Sequence, residues 1–146
     1  MSAAEAGANA KPATPGRPLT RASAVRLART YVRAYNDRDL HAMLTLQDEN
    51  VVSHPSPLFR HRRLVGHAGV REWWAAMVAS GRWYHVVITD IRKLDPDRIA
   101  ILGQIHERGE VLSPWGVIVR VRDGLIVESR SYLSDKDLLD ELGLIG

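Results

Sequence analysis

The sequence predicts an α+β domain in which a strongly curved antiparallel sheet wraps around N-terminal helices. Arg98–Leu133 reads as three strand-like runs joined by two glycine turns. Earlier stretches, near Thr20–Asn36 and His67–Ser80, repeat apolar residues at spacings of three and four, the period of a helix with one buried side. A meander that is apolar on one face needs a cover, and these helices are the candidates to supply it.

In chain order, Thr20 can cap a helix running to about Asn36, with Val25, Ala28, Tyr31, Val32 and Tyr35 on one face. Arg21, Arg26, Arg29 and Arg33 lie elsewhere on its surface, as a solvated face would. Asn36–Asp39 reads as a turn, and Leu40–Leu46 as a short second helix built on Leu40, Met43, Leu44 and Leu46. Val51–His54 is a short strand stopped by Pro55 and Pro57. The loop Leu58–Gly66 carries Arg60, His61, Arg62 and Arg63. In the helix His67–Ser80, the residues Val70, Trp73, Trp74, Met77 and Val78 make one broad apolar side, and Gly81 can end it in the left-handed conformation.

Trp83–Leu94 is the first long strand, followed by turn chemistry at Asp95-Pro96-Asp97. Ile99, Ile101 and Ile105 alternate around Gly103, and Trp115, Val117, Val119 and Val121 share a face opposite Arg120 and Arg122. Asp123-Gly124 supplies the positive-φ pair of a tight hairpin. The last run, Leu125–Leu133, mixes β-branched residues with Ser129, Arg130, Ser131 and Tyr132; Glu128 and Arg130 share one of its faces, free to pair or to reach across strands. Ser134 and Asp137 then cap a C-terminal helix with Leu138, Leu139 and Leu142, ended by Gly143. This order leaves a cavity between sheet and helices.

The 146 residues suit one domain, expected over 19–146, behind a flexible Ala/Pro/Gly-rich tail at 1–18. That tail has no apolar core of the kind a secretory signal needs, no run approaches a membrane span, and a cytoplasmic location is the expectation. The absence of cysteine excludes disulfides, thiol nucleophiles and thiolate metal sites. No two histidines combine with a carboxylate at metal-ligand spacing, and the glycines are too scattered for a phosphate-cradling loop. The net charge of +3 is spread along the chain, whereas a nucleic-acid binder gathers it on a stripe. Neither a nucleic acid nor a membrane is an expected partner.

TYVRAYNDRDLHAMLTLQDENVVSHP, VGHAGVREWWAAM and VIVRVRDGLIVESRSYL, in that order and spacing, resemble the NTF2-like superfamily, in particular its SnoaL-like and ketosteroid-isomerase-like branch. The resemblance spans Thr20 to Gly143 and implies a cone-shaped α+β barrel, commonly a homodimer, with a deep apolar pocket. Members include polyketide cyclases, steroid isomerases, epoxide hydrolases and dehydratases, and also non-catalytic binding domains, so the fold does not decide the function. On the isomerase pattern, Tyr31 takes the place of the tyrosine that donates to the substrate oxygen, and His54 that of the aspartate general base. The second oxyanion donor of that pattern is missing, its place falling at about Gly116 or Val117. The acid–base aspartate of the cyclases and the Arg/Asp/Asp set of the epoxide hydrolases have no counterparts either.

The expectation that follows is proton transfer on a small hydrophobic, cyclic, carbonyl-bearing molecule, of isomerase, cyclase or dehydratase type. His54 and Tyr31 would be catalytic, and Tyr35, Trp74, Trp115, Ile101 and Ile105 would contact the substrate. Imidazole titrates nearest neutrality and so suits a base, while a phenol in an apolar pocket suits an oxyanion donor. No cofactor and no metal are needed for that chemistry. The alternatives are a strand-end histidine and core aromatics that only pack, in a non-catalytic ligand-binding or dimerisation domain.

Overall fold

The computed structural model describes residues 19–55, 62–81 and 83–133. The expected tail at 1–18, Arg60 and His61, and the expected C-terminal helix lie outside the described residues. Helix α1 (Arg21–Asn36) starts where the sequence places it: the Thr20 hydroxyl accepts from the Ser23 backbone, and the Ser23 hydroxyl accepts from the Thr20 N–H. Helix α2 (Leu40–Thr45) is capped by Asp39 and stops one residue short of the expectation, with Leu46 as its C-cap. Strand β1 (Gln47–His54) is longer than the four residues expected, and β2 (Leu64–Val65) occupies what reads as loop. Then come α3 (Gly66–Ser80), β3 (His85–Asp95), β4 (Arg98–Glu107), β5 (Glu110–Arg122) and β6 (Leu125–Tyr132).

The six strands form one curved, unclosed sheet in the order β2-β1-β6-β5-β4-β3. All pairings are antiparallel except β1 against β6. At the hairpins, Arg108-Gly109 and Asp123-Gly124 hold positive φ at both central residues, the geometry that matches strand twist. Gly103 serves a different need, because a Cβ there would sit 2.3 Å from the Val87 carbonyl oxygen of β3. No side chain fits where β3 bulges past β4.

The buried core lies between the sheet and α1–α3. Ala24, Ala28 and Val32 of α1 meet Val51, Ile99, Ile101, Val117 and Val119 from one face of the sheet. Ala100 and Ile118 belong to the opposite face, where Leu94, Leu102 and Tyr132 join them. Val78, expected on the apolar side of α3, is 60 % exposed, so that side is narrower than its sequence reads. Among the described residues no helix is long and apolar enough to cross a membrane.

Candidate functional site

Between α1, α3 and the inner face of the sheet lies a chamber of about 290 Å³. Its walls are Tyr31, Val32 and Tyr35 from α1, Met43 from α2 and Trp73 and Met77 from α3. Tyr84, Val86, Ile105, Leu112, Ser113, Trp115, Ser131 and Leu133 complete them from the sheet side. A smaller recess of about 40 Å³ adjoins it, lined by Gln47, Ser53, His54, Pro55, Val70 and Ser129 together with Tyr31, Met43, Trp73 and Ser131. The last four residues wall both cavities.

Tyr31 reaches this position because α1 carries it one turn before Tyr35, on the side that faces the sheet. Burial pushes its pKa from 10.0 up to about 12, with the neighbouring Tyr35 adding to the rise. Its hydroxyl has no hydrogen-bond partner among the described residues. Tyr35 is also raised to about 12 by burial, partly offset by the Tyr84 backbone and by Arg38.

The rings around Tyr35 pack rather than gape. Trp83 stacks on it with centroids 4.9 Å apart and donates its indole N–H to the Tyr35 carbonyl at 2.9 Å. Trp74 meets Trp83 edge-on at 4.7 Å and Trp73 at 5.9 Å, while the Arg38 guanidinium lies 5.3 Å over Trp83.

Of the expected substrate-contacting residues, Tyr35, Trp115 and Ile105 line the chamber, and Trp74 and Ile101 do not. Trp74 is 7 % exposed and Ile101 1 %; both are core. The reason for Trp74 is the rotation of α3, which buries Trp74 together with Val70 one turn earlier and leaves Trp73 to the chamber. Ile101 lies deep in the covered part of β4, whereas Ile105 lies four residues nearer the hairpin, where the walls open. The sequence reading also missed Met43, Met77, Tyr84 and the serines. Their only signal was the pair Ser129 and Ser131, two apart at the end of β6.

His54 ends β1 and borders the recess, in which Tyr31 is a wall. Its Nε2 lies 3.2 Å from Glu128 Oε2. A carboxylate only accepts, so in the neutral ring Nε2–H donates and Nδ1 carries the lone pair. Glu128 thus reaches across strands to His54 rather than along its own strand to Arg130. Its other oxygen lies 3.8 Å from Arg120 Nε, and Arg120 Nη1 donates to Asp97 at 2.6 Å. Register pairs Val52 with Glu128 and Ser53 with Ser129, so strand alternation sends His54 and Glu128 to the side of the sheet away from the helices, and Ser53 toward them.

Two other histidines have structural partners: His67 donates to the Gln47 carbonyl at 2.8 Å, and His106 meets Gln104 at 3.1 Å. Among the described residues no group of three or more His, Asp or Glu side chains is placed to hold a metal.

Solved structures with this architecture include a SnoaL-like protein of unknown function from Burkholderia thailandensis, 20 % identical with a TM-score of 0.68, covering 81 % of this chain and 99 % of that one. A candidate ketosteroid isomerase from Kribbella flavida is 19 % identical with a TM-score of 0.64, covering 81 % and 82 %. A candidate polyketide cyclase from Xanthomonas campestris is 23 % identical with a TM-score of 0.58, covering 84 % and 98 %. These likenesses establish the NTF2-like fold. No protein of curated function matches the sequence. The family model of the SnoaL-like domain matches residues 28–129, and the chain belongs to that family.

Proposed function

We propose that the chamber binds a small hydrophobic molecule bearing a ring and a carbonyl group, and that the protein moves a proton on it, as an isomerase, cyclase or dehydratase does. The observation that carries this reading is Tyr31, a buried phenol with no partner for its hydroxyl among the described residues, in the wall common to both cavities. Held protonated by burial, it can donate to a substrate oxygen as negative charge develops there, a contribution of about 3–4 kcal/mol when one such donor acts in a dry site. His54 Nδ1 is the proton acceptor in this reading, and Glu128 is a positioning residue that fixes the tautomer. Tyr35, Trp115 and Ile105 orient the ring and exclude water. Proton donor and acceptor are both side chains, so this chemistry calls for no cofactor.

A second reading, a non-catalytic binding or dimerisation domain, is favoured by two facts. Among the described residues no histidine or carboxylate lines the chamber, and strand alternation points His54 away from it. Exchange of the α-hydrogens of β-tetralone in deuterium oxide, followed by NMR, separates the two. The enzyme reading expects acceleration over buffer, loss of that acceleration in His54→Ala, and about a hundredfold slowing in Tyr31→Phe. Binding without acceleration leaves the second reading standing, and an unchanged rate in His54→Ala removes that residue as the base. A homodimer through the far side of the sheet, where Leu94 and Leu102 stay half-buried over Ala100 and Ile118, is tested directly by sedimentation velocity.

A further inference from the structure

The helix-facing side of the sheet is aliphatic where β4 and β5 cross it, with Ile99, Ile101, Val117 and Val119 buried. Ser53, Ser129 and Ser131 stand on that same side: Ser53 pairs with Ser129, Ser129 with Val119, and Ser131 with Val117. Sheet pairing does not ask for hydroxyls there, and a β-branched aliphatic residue would suit the pleat better. Ser129 is 7 % exposed, yet none of the three hydroxyls, nor that of Tyr31, is hydrogen-bonded to a described residue. Hydroxyls not committed inside the protein and open to the recess can be taken up by a water or by a ligand oxygen there. All four of these residues border the recess, whose volume of about 40 Å³ accepts a water or two, or the oxygen end of a ligand, but not a ring. Apart from Tyr31, the one ionisable side chain around it among the described residues is His54, which is engaged by Glu128. Among the described residues a carboxylate would find no free countercharge, whereas a carbonyl or hydroxyl would find several donors.

We propose that Ser53, Ser129 and Ser131 are specificity-determining residues. They receive the uncharged oxygen end of the ligand whose hydrocarbon body fills the chamber, and so select neutral ketones or alcohols over plain hydrocarbons and over acids. This rests on the chamber being a ligand site, and adds which end of the ligand goes where and which charge is refused.

Calorimetric titration with three compounds of one skeleton, β-tetralone, tetralin and tetralin carboxylate, tests it. Wild-type protein is expected to bind the ketone about tenfold more tightly than tetralin, with the carboxylate weakest. In the Ser129→Ala/Ser131→Ala double variant the ketone should fall to within about twofold of tetralin, while tetralin itself binds as before. Because these hydroxyls hold nothing inside the protein, the variant should fold. If it does not, Ser131→Ala alone should lose about threefold of the ketone preference. Equal binding of ketone and tetralin to wild type overturns the proposal and leaves the chamber reading intact, as does a preference that survives the serine substitutions or a carboxylate that binds best. No binding by any of the three overturns both.

Discussion

Tyr31, Met43, Trp73 and Ser131 wall both the chamber and the recess, while the remaining walls are mostly apolar in the chamber, Ser113 and Tyr84 apart, and mostly polar in the recess, Val70 and Pro55 apart. The chamber adds Tyr35, Met77, Ile105, Leu112 and Trp115, a surface that rewards burial of apolar area and is indifferent to direction. The recess adds Ser53, Ser129, Gln47 and the edge of His54, groups that reward one orientation of one polar atom. Affinity and orientation are thereby assigned to different compartments, and Tyr31 is the side chain that can serve both.

The largest way to break this division is to remove its partition. Met43 is 2 % exposed between the two cavities, and Met43→Ala should cost about 2–5 kcal/mol in denaturant unfolding, since the cavities would merge without collapsing. A loss below 1 kcal/mol would mean that the wall closes up by itself.

Tyr31→Phe should instead leave stability within about 0.5 kcal/mol, because no internal hydrogen bond is lost. Its cost, about 3 kcal/mol in the barrier, should fall on proton exchange alone. An equal loss of stability would make Tyr31 a structural residue.

Alkaline titration sharpens the same point. Tyr31 and Tyr35 have folded-state pKa values raised from 10.0 to about 12. The unfolded chain therefore gives up these protons first as pH climbs. The stability tied to each tyrosine is present in full below pH 10, and up to about 2–3 kcal/mol of it is lost as pH rises through the folded value near 12. Phenolate absorbance should show Tyr31 and Tyr35 ionising late, and one late tyrosine fewer in Tyr31→Phe; ionisation of both near 10 would place these phenols in solvent.

The smallest effect is expected at the far wall. Trp115→Ala should weaken β-tetralone and tetralin alike, by about 1–1.5 kcal/mol or roughly tenfold in Kd, with their ratio unchanged. A shift in the ratio would show that the chamber also reads the oxygen.

What could be read from the sequence was what local chemistry decides. Thr20 and Ser23 close the start of α1, and Asp123-Gly124 turns β5 into β6, because capping and positive φ depend on a few adjacent residues. The parallel pairing of β1 with β6 depends on strands more than seventy residues apart and left no local mark. The choice between Trp73 and Trp74 failed for a similar reason. Both sit on one broad apolar arc, and only the packing of α3 against the rest of the fold, which buries Val70 and Trp74 together, decides which indole meets the cavity. Ile101 and Ile105 have identical alternation, and the depth of cover over β4, set by α1, separates them. The Glu128 contact to His54 and the serine face are products of register, which alternation within a single strand does not reveal.

Asn36, the last residue of α1, bonds both backbone groups of Val86: its amide nitrogen donates to the carbonyl at 2.8 Å and its amide oxygen accepts from the N–H at 2.9 Å. Val86 belongs to β3, the outermost strand, and in an antiparallel ladder both of its backbone groups point the same way, here outward from β4. The side-chain amide therefore occupies the slot that a foreign strand would use, and beyond it Asp90, Arg92 and Lys93 hold the rim with charge. A helix terminus thus serves as a stopper against edge-to-edge polymerisation, and a chain lacking that amide would be open to recruiting its neighbours.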